Sequence, residues 1–225
     1  MALSDKLISS FLAFELEIDI NSPIHNIRTS AIKKFQDLGF PNKKLENWKY
    51  TSLNQILKED YTVFAKQKNV INFKKVKDYF IDNIESYKIV FVDGYFDPFL
   101  SQTSHEGIDI CIMSAALNKA KYSDVIKKYF NKISDEKDSL TSLNTAFSKE
   151  GVFIHVPKNI AVEKPVEVVH IATGNEAALM LQPRNLIVIE ENSEIEIVES
   201  HRSLTSNPIF TNSVTEIFAD KNTNI

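Results

Sequence analysis

Apolar and polar positions change period along this chain. Leu3, Leu7, Phe11 and Phe14 recur every three or four residues, as do Ile24, Ile27, Ala31, Phe35 and Leu38. That spacing gathers them on single faces and predicts two amphipathic helices. Ser22-Pro23 reads as the N-cap and first-turn proline of the second, and Gly39 as its stop. Between Gly151 and Ala219 the period falls to two. The runs Val152–Val156, Val166–Ile171, Leu186–Ile189, Ile195–Val198 and Val214–Phe218 are rich in β-branched residues. Polar corners such as Pro157-Lys158-Asn159 and Glu191-Asn192-Ser193 separate them, which is the signature of short strands.

The middle of the chain mixes both patterns. Leu45–Leu53 leads into a short helix ending near Leu57, and Phe73–Ile84 predicts another with Val76, Phe80 and Ile84 inward. Lys88–Val92 reads as a strand ending in the turn Asp93-Gly94, with Tyr95–Leu100 as a hairpin partner held to an edge by Pro98. Ile108–Met113 is a further strand. Ser123 opens a helix carrying Ile126, Phe130 and Ile133, Asp135–Asp138 is a charged linker, and Ser139–Ser148 is a last helix.

No helix-length apolar segment lies between the late strands, so βαβ crossovers are not available to them. An antiparallel sandwich or a solenoid remains, and the scarcity of Asn-Gly and Asp-Gly corners favours the solenoid. Phe153–Val156, Ile160–Val162 and Val166–Ile171 can be laid over Leu186–Ile189 and Ile195–Val198, and a third layer opens at Val214. The reading is an α+β chain: a helical N-terminal domain over 1–86, a mixed strand/helix connector over 87–138, and the start of a β-solenoid over 139–225. With no capping element after Val214–Phe218, the chain is expected to continue in a longer protein or to be covered by another chain.

Composition narrows the class of function. With 225 residues, 43% apolar and 25% charged, the chain can build real cores. A net charge of -4 and a pI near 5.8 argue against nucleic-acid binding. The lysine runs Lys33-Lys34, Lys43-Lys44, Lys74-Lys75 and Lys127-Lys128 read as solvated helix faces. One cysteine excludes an internal disulfide and an all-thiolate metal site. No leader pattern or membrane-length apolar run is present, so a cytoplasmic location is expected.

Candidate chemistry is sparse. No Gly-rich phosphate loop, HExxH, CxxC or GxSxG occurs. His155 and His170 lie in strands, where they could share a metal if they faced each other; a satisfied strand histidine is the simpler reading. Cys111 sits in an apolar run and reads as a small buried hydrophobe. Trp48 and Tyr50 could stack on a ligand or anchor a small core. Glu190, Glu191, Glu194, Glu196 and Glu199 form an acidic row that strand parity splits between two faces. No catalytic, cofactor-binding or metal residue is assigned.

Several linked motifs resemble a known family. Arg28-x-x-Ala31-x-x-x-Phe35-x-x-x-Gly39-Phe40-Pro41 is followed by Lys44-Leu45-Glu46-Asn47-Trp48-Lys49-Tyr50-Thr51. Val90-Phe91-Val92-Asp93-Gly94-x-Phe96, Leu143-Asn144-x-Ala146-Phe147, Val156-Pro157-Lys158-Asn159 and Asn212-Ser213-Val214-Thr215-Glu216 follow in order. Together they resemble the SufB/SufD family of the SUF iron–sulfur cluster assembly system, and the Trp-Lys-Tyr-Thr segment resembles its SufD branch. The resemblance implies a right-handed parallel β-helix after the helical domain, here cut in mid-solenoid. It implies a non-catalytic scaffold in a SufBCD complex, pairing with SufB and coupled to the SufC ATPase, with the iron–sulfur cluster handled by the assembled complex and no cofactor in this chain. A homodimer is a further possibility; nucleic-acid and membrane partners are not expected. The rivals are a β-solenoid interaction module and a carbohydrate-active β-helix enzyme, the latter needing clustered carboxylates that the spacing does not provide.

Overall fold

A computed structural model describes residues 3–18, 21–66, 68–82, 84–102, 107–134 and 138–225. Helices α1 (Leu3–Glu17) and α2 (His25–Leu38) form where the helical spacing puts them. They bury Leu3, Leu7, Phe11 and Phe14, and Arg28, Ala31, Ile32 and Phe35. Ser22 does not cap α2. Ile24 holds the N-cap position, with its side chain buried against the residues of a neighbouring core. Gly39 ends the helix at φ 65, its N–H donating to the Phe35 carbonyl, a conformation that glycine adopts without strain.

The helix expected over 73–84 does not form among the described residues of that stretch. Two 3-10 turns, Phe73–Lys75 and Lys77–Tyr79, take its place, and the Asn72 side chain accepts from the Lys74 N–H. Asparagine ties up the backbone locally at the cost of a longer helix. Val76 and Phe80 are still buried, whereas Ile84 is exposed. The 45–57 region likewise forms 3-10 turns at Glu46–Trp48 and Ile56–Lys58. Ser123 lies inside α4 (Ala120–Tyr129), which follows α3 (Met113–Leu117). Helix α5 (Ser139–Ala146) starts at Asp138, whose carboxylate accepts from the N–H groups of Leu140 and Thr141. Residues 135–137 of the expected linker lie outside the described residues.

Among the described residues ten strands make three sheets. The strands are β1 (Tyr87–Val92), β2 (Tyr95–Phe96), β3 (Asp109–Ile112), β4 (Val152–Val156), β5 (Val166–Ala172), β6 (Leu179–Leu181), β7 (Arg184–Ile189), β8 (Ile197–Ser203), β9 (Ile209–Thr211) and β10 (Val214–Ala219). The first sheet runs β2-β1-β5-β8, the second β10-β7-β4-β3, and β6 pairs with β9. Parallel registers set Phe153 beside Leu186, Leu186 beside Glu216, and Val166 beside Ile197. The β1–β2 and β3–β4 pairs are antiparallel.

These pairings correct the expected architecture. The chain is not a helical domain followed by a right-handed parallel β-helix; it is a mixed α/β fold with parallel and antiparallel pairs in the same sheets and five α-helices among the described residues. The physical reason lies in the segment read as a connector. Strand β1 runs parallel beside β5, and β3 runs antiparallel beside β4, so residues 87–112 supply sheet strands themselves. Local alternation marks a strand but carries nothing about a partner so far away in sequence.

The two four-stranded sheets face each other through one apolar cluster. Ile89, Phe91, Val166 and Val168 of the first sheet meet Ile110, Ile154, Val156 and Ile187 of the second. At roughly 1.5–3 kcal/mol for each fully buried large aliphatic or aromatic side chain, this layer is a principal source of stability. A second cluster joins the ends of the chain: α1 and α2 pack on Leu143, Phe147, Met180 and Phe210.

Polar ties fix the layers. Arg28 is buried and donates to the Ser148 carbonyl through Nε at 3.1 Å and Nη2 at 2.6 Å. The Asn144 side chain donates to the carbonyls of Pro183 (2.8 Å) and Asn212 (2.7 Å). Asn159, Asn192 and Asn222 turn three corners at φ 62, 60 and 55. Their amides form a ladder, Asn192 donating to Asn159 at 3.1 Å and Asn222 to Asn192 at 3.0 Å. Asparagine suits those corners because it tolerates the left-handed region and carries both a donor and an acceptor.

The largest wholly buried side chain is Arg184 at the start of β7. Its Nη2 donates to Glu216 Oε2 at 2.6 Å, and its guanidinium lies 4.9 Å from the Phe130 ring centroid. The Glu216 carboxylate also accepts from the backbone N–H groups of Asn131 (2.7 Å), Lys132 (3.0 Å) and Ile133 (3.2 Å). Burial lowers the Arg184 pKa and Glu216 works against that shift. A charge so enclosed is tolerable because Glu216 balances it, although Arg184 Nε is itself buried without a hydrogen-bond partner.

Candidate functional site

The parallel register of β1, β5 and β8 places Phe91, His170 and His201 side by side across three strands. Their rings stack: Phe91 and His170 at 4.9 Å and 9°, His170 and His201 at 4.7 Å and 8°. His170 is 4% exposed, held between the two rings. Glu199 lies two residues before His201 on β8, so strand alternation puts both on one face. Glu199 Oε1 is 3.2 Å from His201 Nε2 and 3.6 Å from His170 Nε2.

Two hydroxyls from the loop before β10 and from β10 itself orient the carboxylate. Ser213 donates to Glu199 Oε1 at 2.9 Å and Thr215 to Oε2 at 3.1 Å. Thr215 in turn accepts from Asn185 Nδ2 at 3.0 Å, and Asn185 Oδ1 accepts from the Val152 N–H. The cluster is thus tied to the second sheet. His170 Nε2 is buried and has no hydrogen-bond partner. His170 also lines a small, partly open pocket of about 40 Å³ together with Phe91, Tyr95, Glu150 and Gln182, room for about one water molecule. On the other side it reaches an open cleft shared with His201, Arg202 and Thr211.

Electrostatics follow from this burial. Desolvation, with the His201 charge beside it, lowers the His170 pKa to about 3 against an attraction from Glu199. Burial opposes the charged form of Glu199 as well, yet the hydrogen bond from His201, the neighbouring His170 and the Ser213 hydroxyl outweigh it and hold the carboxyl well below its ordinary range. At neutral pH the site therefore presents an uncharged buried imidazole beside a carboxylate. Such a pair is a poor proton acceptor at neutral pH but can ligate a cation.

The His170 shift has a measurable consequence. The unfolded side chain titrates near 6.5 and the folded one near 3, so between these values the unfolded state binds more protons. Stability is then lost as the pH falls, at up to about 1.4 kcal/mol per pH unit. Lowering the pH from 7 to 5 is expected to cost about 2 kcal/mol through this residue. His170→Phe, which keeps a ring on Phe91, is expected to flatten that stretch of the profile in urea titrations at each pH. An unchanged slope would place its origin elsewhere.

The other sequence candidates separate. His155 does not face His170. It lies on β4 between Glu190, at 3.0 Å from Nε2, and Asp109, at 3.6 Å from Nδ1, and is satisfied there. Cys111 is half-buried on β3, and burial pushes its thiol up to about 11, which keeps it protonated and unreactive. Trp48 is half-buried, while Tyr50 is 90% exposed with Lys49 Nζ 5.5 Å from its ring. Of the acidic row, Glu194 and Glu196 are exposed, Glu190 binds His155, and only Glu199 joins the histidine pair. His201 was not singled out from the sequence. The β5–β8 register, Val166 beside Ile197, is what sets it on His170.

Comparison with known families agrees with the motifs. Residues 2–168 match the SufBD protein N-terminal region, and residues 170–225 match the SufBD core domain of SUF system FeS cluster assembly. The chain belongs to the SufBD family of the SUF iron–sulfur cluster assembly system. It is 28% identical over 212 residues to the iron–sulfur cluster assembly protein SufD of Bacillus subtilis, covering 90% of this chain and 47% of that one. An iron–sulfur cluster assembly SufBD family protein of Synechocystis is 24% identical over 213 residues, covering 91% and 47%. Escherichia coli SufD is 24% identical over 176 residues, covering 77% and 38%. The chain thus spans about half the length of the first two relatives or less of the third. Among the described residues no helix is long and apolar enough to cross a membrane.

Proposed function

We propose that this chain works as a non-catalytic scaffold component of a SufBCD-type complex, pairing with SufB and coupled to the SufC ATPase. The observation that carries the reading is the pair of consecutive family matches, which together take in nearly the whole chain. The relatives named SufD support the SufD side of the family. The fold supplies a surface suited to assembly. Among the described residues β8, β9 and β10 each end a sheet, pairing on one side only. An edge strand presents unpaired N–H and C=O groups to which a further strand can be added.

Co-expression with tagged SufB and with SufC from one genome tests the proposal. Recovery of the chain with SufB is the expected result. Recovery of neither partner, with the chain folded by circular dichroism, would overturn it. Deleting the gene is expected to lower cluster-dependent enzyme activities in the cell; a deletion without that effect would point to an interaction module outside iron–sulfur chemistry.

A further inference from the structure

Of all titratable clusters among the described residues, one gathers three potential ligands: a ring nitrogen of His170, a carboxylate oxygen of Glu199 and a ring nitrogen of His201 lie within 4.8 Å of one another. We propose that these three side chains form a binding site for a borderline divalent transition-metal ion, of which zinc is the natural probe, with a fourth position open to the cleft. The inference stands apart from the scaffold reading and can fail without it.

Geometry comes first. A tetrahedral ion with bonds of about 2.0–2.2 Å holds its ligand atoms about 3.3–3.6 Å apart. The two carboxylate–imidazole edges already measure 3.2 and 3.6 Å. The edge between the two imidazoles lies within 4.8 Å. The rings are stacked 8° from parallel, so their lone pairs run side by side and do not yet converge. His170 is clamped against Phe91, whereas His201 is 37% exposed in its side chain and can turn about its Cβ–Cγ bond. Binding is therefore expected to break the His170–His201 stack and leave the Phe91–His170 stack intact.

The second observation is the unsatisfied nitrogen. His170 Nε2 is buried, lies beyond hydrogen-bond reach of Glu199 and has no other partner. A buried polar atom left so is uncommon and calls for a ligand or a water. A hydrogen-bonded His–Glu–His row would leave it as it is; a metal ion would use it. Support for the carboxylate is already built, since the Ser213 and Thr215 hydroxyls and the Asn185 amide behind Thr215 fix its plane. Arg202, the cation nearest in sequence, shares the cleft, and its guanidinium lies 6.0 Å from the Tyr79 ring centroid. Access is open: the cleft beside His170 and His201 holds about 340 Å³ and is walled by Ser203, Ile209 and Thr211. The donor set of two imidazoles and one carboxylate suits zinc and its neighbours better than magnesium or calcium.

The test uses the tag-free chain at pH 7, titrated with zinc in a calorimeter and in competition with a chromophoric chelator. Cobalt(II) is titrated in parallel for the visible bands of a four-coordinate site. About one ion per chain is expected. His201→Ala and Glu199→Gln, both at positions open to solvent, are expected to weaken binding at least about tenfold. His155→Ala, in its own pair of carboxylates, is expected to leave binding unchanged. Far-UV circular dichroism of each variant guards against unfolding as the cause. Failure of the wild-type chain to bind zinc stoichiometrically, or equal binding by wild type and both site variants, overturns the proposal.

Discussion

Glu216→Ala is expected to destabilise the protein by about 3–5 kcal/mol, the range for removing one partner of a buried ion pair. The substitution leaves Arg184, wholly buried, without its counter-charge, and strips the acceptor from the N–H groups of Asn131, Lys132 and Ile133. Arg184→Met is the informative comparison. It leaves a buried carboxylate still holding three backbone donors, and an unbranched apolar chain fills the place beside Phe130. The smaller loss is therefore expected for Arg184→Met. Urea denaturation of both variants gives the order directly, and the reverse order would mean that the carboxylate matters mainly as the partner of Arg184.

Gly151→Ala is the second large effect. A Cβ at this position would lie 2.0 Å from the Arg184 carbonyl oxygen and 2.5 Å from its carbonyl carbon. Both are backbone atoms, so no side-chain rotation relieves the clash. The flanking bonds hold the approach on both sides: Met113 donates to the Gly151 carbonyl at 2.8 Å, and Arg184 donates to that of Glu150 at 3.0 Å. Separating them shifts the entry of β4 relative to β7, and a loss of about 3 kcal/mol or more is expected from overpacking against fixed backbone. Gly39→Ala meets nothing within 4 Å but must hold φ 65 with ψ -170, a region essentially reserved for glycine, so a loss of about 1–3 kcal/mol from backbone strain alone is expected there. Equal losses at the two glycines would show that local conformation, not the close approach, makes Gly151 necessary.

The parts of this fold legible in the sequence are those whose cause is local. Helical spacing marks α1 and α2, and β-branched alternation marks β4, β5, β7 and β10. The helix expected over 73–84 failed for a local reason too, since Asn72 captures the Lys74 N–H and favours 3-10 turns. The architecture failed for a distant one. Asp93 binds Thr173 across 80 residues, and nothing near either residue announces the other. Once β1 and β3 pair with β5 and β4, the expected β-helix gives way to mixed sheets. The same limit hid the histidine cluster. His170 was noticed, but its partner is His201, which only the β5–β8 register brings to it, and not His155.

The packing of α1 also sets a timetable. Its apolar face, Leu3, Leu7, Phe11 and Phe14, is covered by Leu143, Phe147, Met180 and Phe210. A ribosome adding about 5–20 residues per second needs roughly 10–40 s to travel from that helix to β9. Through that interval only part of its native surface, α2 with Tyr61 and Val63, is available, so the helix made early is among the last to be fully buried. Folding rate then depends on closing the longest loop in the chain, and chaperones that shield amphipathic helices have their opportunity at the beginning of synthesis.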